Sequence, residues 1–173
     1  DALNMGTTAE RLHDRFPSLT KERSDRLGMR SQQKVAAAYA AGKIQPDLIP
    51  VAIRSAEGWG LATEDEGMRP ETTMEGLATL KTPLRPHGKV TAGNASPLTD
   101  GATGSILAGA DAGKELGLSV KMKMVSFGFA GVEPEVMGIG PIPSTEKALK
   151  RAGLTIADIG AFELNEAFAV QVL

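Results

Sequence analysis

An Asn–Glu pair at 165–166 stands between a short apolar run and the first turns of a candidate helix, in the closing stretch FELNEAFAVQVL. Asn is a favoured N-cap, because its side-chain oxygen accepts a backbone N–H, and Glu is a favoured first-turn anion. At the carboxyl end of a strand in an α/β sheet, where ligands bind, the same amide would hold a water or a developing oxyanion without carrying charge. Both readings of Asn165 stand on the dipeptide alone. The chain has no cysteine, so it contributes no disulfide, thiolate metal ligand or Cys nucleophile. His13 and His87 are too far apart to form a ligand spacing, which argues against zinc and any other metal site. His13 falls off the apolar stripe of its segment and reads as a solvated helical histidine.

The 173 residues carry 42% apolar and 23% charged side chains and a net charge of −2, ordinary soluble-globular composition. Balanced charge leaves no electrostatic footprint for nucleic acid. No apolar run approaches the ~20 residues that span a bilayer, and nothing resembles a signal peptide, so no membrane span and a cytoplasmic location are expected. The first residue is Asp1, so the true start is expected to be missing or removed.

The elements that must position Asn165 follow from periodicity and caps. Thr7-x-x-Glu10 has capping-box form ahead of Ala9, Leu12 and Phe16, with Pro17 as the stop. A longer helix follows, with Leu27, Val35, Ala38 and Tyr39 on one face and Gly42 closing it. Ile49, Val51 and Ile53 alternate as a short strand, while Ala56 to Arg69 shows no period and reads as a loop. Thr72-x-x-Glu75 opens a short helix, and residues 82–104 form a long Pro- and Gly-rich loop of the kind that often carries function. Beyond it, residues 102–110, the run from Val120 through Met122 and Met124, and residues 159–164 read as strands. They alternate with helices ending at Gly117, running from Ser144 as N-cap to Gly153, and starting at Asn165. Met122 and Met124 read as core packing. A β-α-β-α-β-α order argues for a layered α/β fold.

Four collinear blocks then add a resemblance. LNEAFA at 164–169, VTAGNASPLTDGA at 90–102, MGTTAE at 5–10 and AGVEPEVMGIGPIPSTEKALKRAGLT at 130–155 resemble blocks of the thiolase family, in the family's order and over nearly the whole chain. The resemblance implies part of the layered α-β-α-β-α thiolase fold, incomplete at both ends. It implies a CoA-binding loop domain at 1–92, the last β-α segment of the N-terminal half at 93–121, and the first part of the C-terminal half at 122–173. The implied activity is that of an acyl-CoA C-acyltransferase, which makes or breaks a carbon–carbon bond between acyl-CoA units through a Cys acyl-enzyme. The family's nucleophilic Cys lies upstream of the loop domain, and its catalytic His and second Cys lie beyond the Asn-Glu-Ala-Phe block. The chain therefore resembles an internal fragment, inactive alone.

By the same resemblance, Asn165 would position an oxyanion-hole water for the acyl-CoA thioester carbonyl. Met5 and Phe168 would line the acyl pocket, Ala92, Ala95 and Ser96 would contact the pantetheine arm, and Arg69 would lie near the nucleotide of CoA. Each has a plain competitor: Ser96 opens the turn before Pro97, Met5 and Phe168 are core residues, and Arg69 is a solvated charge. Short-chain thiolases carry His before the Met and Gly after the Ser; this chain has Asn4 and Pro97. A 3-ketoacyl-CoA thiolase of fatty-acid β-oxidation is implied instead. Coenzyme A thioester is expected as substrate with no separate cofactor, and acyl-CoA, CoA and further copies of the chain, as dimer or tetramer, are expected as partners. Two other readings stay open: a non-catalytic module binding CoA esters or lipid, and a region that mainly makes subunit contacts.

Overall fold

The computed structural model describes residues 3–119 and 122–173. Among these lie helices α1 (Met5–Arg15), α2 (Lys21–Ala40), α3 (Met74–Ala78), α4 (Ala110–Glu115), α5 (Pro141–Ala152) and α6 (Ala169–Val172), and strands β1 (Val51–Ser55) and β2 (Gly58–Ala62). The chain divides into two compact units, one running to Pro97 and taking in Asn165–Leu173, the other Leu98–Leu164.

In the first unit the N-cap of α1 is Asn4, whose side-chain oxygen accepts the Thr7 N–H at 2.8 Å. The cap lies three residues before the expected Thr7, because Glu10 is needed elsewhere. Its carboxylate is 1% exposed and accepts the backbone N–H groups of Lys89 and Val90, each at 2.8 Å. The Glu10 Oε2 also meets the Arg85 guanidinium at 2.9 Å, and Arg85 reaches on to Asp14 at 2.7 Å. Gly88 is required beside this carboxylate, since a Cβ there would fall 2.5 Å from Glu10 Oε1.

α2 is capped by the Thr20 hydroxyl, which accepts the Arg23 N–H at 3.2 Å. α3 is capped by Thr73, one residue after the expected Thr72, whose own hydroxyl donates to the Arg69 carbonyl. The apolar core of this unit is small: Ala9 and Leu12 from α1, Leu77 from α3, Val90, and Ala169 and Val170 from α6. Beside it sits a buried polar layer of Thr8, Glu10, His13, Ser24, Asp25, Thr91 and Asn94.

β1 is the strand expected around Ile53, but it pairs antiparallel with β2, in a stretch read as loop. The register puts Val51 opposite Ala62 and Ser55 opposite Gly58, leaving a two-residue connection closed by Gly58 at φ 120°. A positive φ there favours glycine.

In the second unit α4 ends as expected, at Gly117 with φ 63°. α5 begins at Pro141, three residues before the expected Ser144, whose hydroxyl donates back to the Gly140 carbonyl at 3.0 Å. Gly153 closes α5 in the left-handed conformation, φ 68°. Of residues 102–110, expected as a strand, Ala110 opens α4 and 102–109 form no ladder, nor do residues 159–164, also expected as a strand; Ile106 and Leu107 are 83% and 81% exposed.

The expected strand through Met122 and Met124 also forms no ladder; Val120 and Lys121 lie outside the described residues, and the two methionines are 90% and 67% exposed rather than core. What this segment packs on is α5. The Ser126 hydroxyl donates to the Ala148 carbonyl at 2.5 Å, and a Cβ on Gly128 would stand 2.4 Å from the Ser144 carbonyl oxygen. Arg151 donates to the Phe127 carbonyl at 2.8 Å and lies 5.2 Å from the Phe127 ring centroid.

Candidate functional site

The two motifs that carry the sequence-predicted site, 70 residues apart, are joined inside the first unit. Ala95 and Phe168 form an antiparallel bridge. The Ser96 N–H donates to the Ala167 carbonyl at 2.9 Å, and the Ala169 N–H donates to the Asn94 carbonyl at 2.9 Å. A bridge of two bonds fixes the register of 94–96 against 167–169. It places Ala95 and Ser96 beside Phe168, with Ala92 and Asn165 a few residues away on the same two strands of chain.

Helix formation starts only at Ala169, so Asn165 is not the N-cap of α6; that place belongs to Phe168, in extended conformation. Asn165 is exposed and Glu166 beside it accepts a hydrogen bond from the Ser31 hydroxyl of α2. The capping reading of Asn165 therefore fails, and its amide is at the surface next to the bridge. The Ser96 hydroxyl donates to the Pro97 carbonyl at 3.2 Å, a local turn contact.

Met5 is the first residue of α1 and 56% exposed, not core, and α1 packs against α6 directly after Phe168. Asn4 is occupied as a helix cap. Arg69 is held through its backbone: its N–H donates to Gln32 Oε1 at 2.7 Å, and its carbonyl accepts from the Thr72 hydroxyl at 2.7 Å. Its side chain is at the exposed surface, and the bridge does not include it.

The turn that presents Ala95 and Ser96 is built by Asn94, 6% exposed. Its Oδ1 accepts the Thr91 N–H at 2.9 Å, closing residues 91–94. Its Nδ2 donates to the Lys89 carbonyl at 2.9 Å and to Asp25 Oδ1 at 2.8 Å. Asp25, 2% exposed, is neutralised by the Lys21 ammonium at 2.6 Å, which also donates to the Leu77 carbonyl at 2.9 Å. A buried carboxylate is tolerated when paired and hydrogen-bonded in this way. Gly93 and Gly28 let the turn approach: a Cβ on Gly28 would lie 2.4 Å from the Gly93 carbonyl oxygen.

His13 is buried, 1% exposed, rather than solvated. Its Nδ1 lies 2.5 Å from the Leu19 carbonyl oxygen, so Nδ1 carries the proton and Nε2 is left without a hydrogen-bond partner. Burial holds its pKa below the usual value of 6.5, partly offset by the bond to Leu19. The hydrogen bond from Arg85 holds the Asp14 carboxyl below the usual range and raises the Arg85 guanidinium in turn.

None of the Asp25–Asn94 network was expected from the sequence, because its members are polar and the helix was read by its apolar period. The signal available was the spacing of Lys21, Asp25 and Gly28 along one helical face. An open cleft of about 460 Å³ is lined by Arg23, Arg26, Arg30, Lys34 and Glu22 of α2 together with Glu166, Val172 and Leu173. Among the described residues no group of three His, Asp or Glu side chains could hold a metal ion, and no helix is long and apolar enough to cross a membrane.

Residues 1–111 match the model of the thiolase N-terminal domain and residues 118–173 that of the thiolase C-terminal domain. A 3-ketoacyl-CoA thiolase of Idiomarina loihiensis is 46% identical over 172 residues, covering 98% of this chain and 44% of the relative. The 3-oxoadipyl-CoA/3-oxo-5,6-dehydrosuberyl-CoA thiolase of Escherichia coli is 42% identical over 173 residues, covering 98% and 42%. The solved acetyl-CoA acetyltransferase of Bacillus anthracis superposes with a TM-score of 0.94 at 36% identity, over 98% of this chain and 43% of that one. The chain thus spans less than half the length of these relatives. Its architecture is the α/β fold of its structural neighbours, and the chain belongs to the thiolase family.

Proposed function

We propose that these residues form part of the CoA-ester site of a 3-ketoacyl-CoA thiolase, which cleaves or forms a carbon–carbon bond between acyl-CoA units through a Cys acyl-enzyme. The observation that carries the proposal is the Ala95–Phe168 bridge. It sets the Ala92–Ser96 turn, whose Ala92 and Ser96 are exposed, beside Phe168 and near the free amide of Asn165, a juxtaposition of the two motifs that the thiolase resemblance assigns to CoA and to the reacting thioester.

In this reading Ala92, Ala95 and Ser96 let the thin pantetheine arm lie close to the backbone. Asn165 holds a water against the thioester carbonyl as negative charge develops on its oxygen. Phe168 and Met5 flank the acyl group, and Arg69 meets the nucleotide end. A Cys acyl-enzyme requires a nucleophile from outside these residues, which contain no cysteine. CoA thioesters are the substrates and no separate cofactor is called for. Fatty-acid β-oxidation, a cytoplasmic location and a homo-oligomer of two or four copies complete the proposal, with residues 1–92 as the CoA-binding loop domain.

The test is thiolytic cleavage by the protein that carries this chain, followed by chromatography of the acyl-CoA products. It should split a 3-ketoacyl-CoA, in the presence of CoA, into two shorter-chain products. Asn165→Ala should lower kcat by about 10²–10³-fold, while CoA affinity holds. An unmodified protein that leaves the 3-ketoacyl-CoA intact would overturn the assignment, as would an Asn165→Ala variant of full activity.

A further inference from the structure

Three separate segments of the proposed site are tied to a single face of α2. Asp25 accepts from Asn94 at 2.8 Å and thereby holds the Ala92–Ser96 turn. Gly28, one turn on, admits the Gly93 carbonyl at a distance that no side chain would permit. Ser31 donates to Glu166, next to Asn165, and Gln32 accepts the Arg69 N–H at 2.7 Å. At 3.6 residues per turn, positions 25, 28, 31 and 32 fall within about a third of the helix circumference, and they span about 10 Å of its axis. The contacts lie 37 to 135 residues apart in sequence, so local folding does not create them.

We infer that this face of α2 acts as a ruler: Ser31 and Gln32 are positioning residues that set, independently, the acyl-reactive end and the nucleotide end of the CoA-ester site. The inference rests on the thiolase reading above and adds residues that the motifs do not contain. Ser31 acts only through Glu166 on the Asn165 segment, so it governs the chemical step. Gln32 acts only through the Arg69 backbone, so it governs how the nucleotide end is held. Neither side chain is fully buried, so both can be replaced without opening the core.

The experiment is steady-state thiolysis by the protein carrying this chain, with four variants. Gln32→Leu should raise KM for CoA about fivefold at unchanged kcat, and Ser31→Ala should lower kcat about fivefold at unchanged KM, the worth of one net hydrogen bond. Gln32→Glu keeps an acceptor oxygen for the Arg69 N–H and Ser31→Thr keeps the hydroxyl, so each should restore its parameter. A purely structural role would move kcat and KM together in both variants without rescue, and that pattern overturns the inference. So does a pair of variants indistinguishable from the unmodified protein. If the unmodified protein fails to cleave 3-ketoacyl-CoA, the functional reading fails first and the ruler falls with it. If it is active and the kinetic split is missing, only the ruler is lost.

Discussion

Replacing Gly28 by alanine tests how the site turn is seated on α2. In a free helix the change is favourable by about 1 kcal/mol, because glycine loses more backbone freedom on folding. Here the added Cβ would lie 2.4 Å from the Gly93 carbonyl oxygen and 3.5 Å from its carbon. An ordinary contact needs about a further 1 Å of separation, and a backbone carbonyl cannot swing aside as a side-chain tip does. Overpacking of this kind costs about 1–3 kcal/mol. Retreat of the turn would also stretch the charge-assisted bond from Asn94 to Asp25, worth about 1.5–3 kcal/mol. Set against the helical gain, the net expected loss is about 2 kcal/mol, with weaker CoA binding because Ala95 and Ser96 move with the turn. Urea unfolding and calorimetric CoA titration would measure both. Gly76→Ala in α3 is the control, since its Cβ would meet only the Thr73 hydroxyl at 3.4 Å; it should be neutral or stabilising. A Gly28→Ala protein as stable as the original, with undiminished CoA affinity, would refute the close-approach argument.

Glu10→Gln keeps an oxygen for the Lys89 and Val90 N–H groups but turns an amide toward the Arg85 guanidinium, now 2.9 Å from the carboxylate. The expected destabilisation is about 2 kcal/mol by chemical unfolding, and a change near zero would show that the buried carboxylate contributes nothing. His13 has its pKa depressed below 6.5 in the folded protein, so the unfolded chain binds the extra proton first. Stability should therefore be level above pH 6.5 and decline as pH falls below it, until the folded pKa is passed. His13→Gln should flatten that decline; an unchanged pH profile would remove His13 as its source. Asp14, lowered from 3.8 by Arg85, should add a further loss at still lower pH, as its carboxylate takes up a proton and the ion pair is lost.

Much of the helical framework was readable from local signals, because caps and stops act within one turn. Gly117 and Gly153 close α4 and α5 where glycine allows a left-handed φ, and Pro17 follows the end of α1. Cap identity was less readable. Thr7 and Glu10 have the capping spacing, but Glu10 is taken by Lys89 and Val90, a contact some 80 residues away. Strands depend on partners: β2 was missed because Gly58 and Gly60 break its alternation, while apolar runs at 102–109 and 159–164 found no ladder among the described residues. His13 looked solvated because it sits off the apolar stripe, yet that side of α1 faces the buried polar layer. The site motifs were visible as strings. Their union through Ala95 and Phe168 was not, nor was the role of α2, since both depend on pairings that no local pattern encodes.

The most direct test of the central claim is a crystal structure of the protein carrying this chain in complex with an acyl-CoA. The account predicts the pantetheine arm along Ala92–Ser96, with its thioester carbonyl bound to a water held by the Asn165 amide. An acyl-CoA bound away from the Ala95–Phe168 bridge would contradict it.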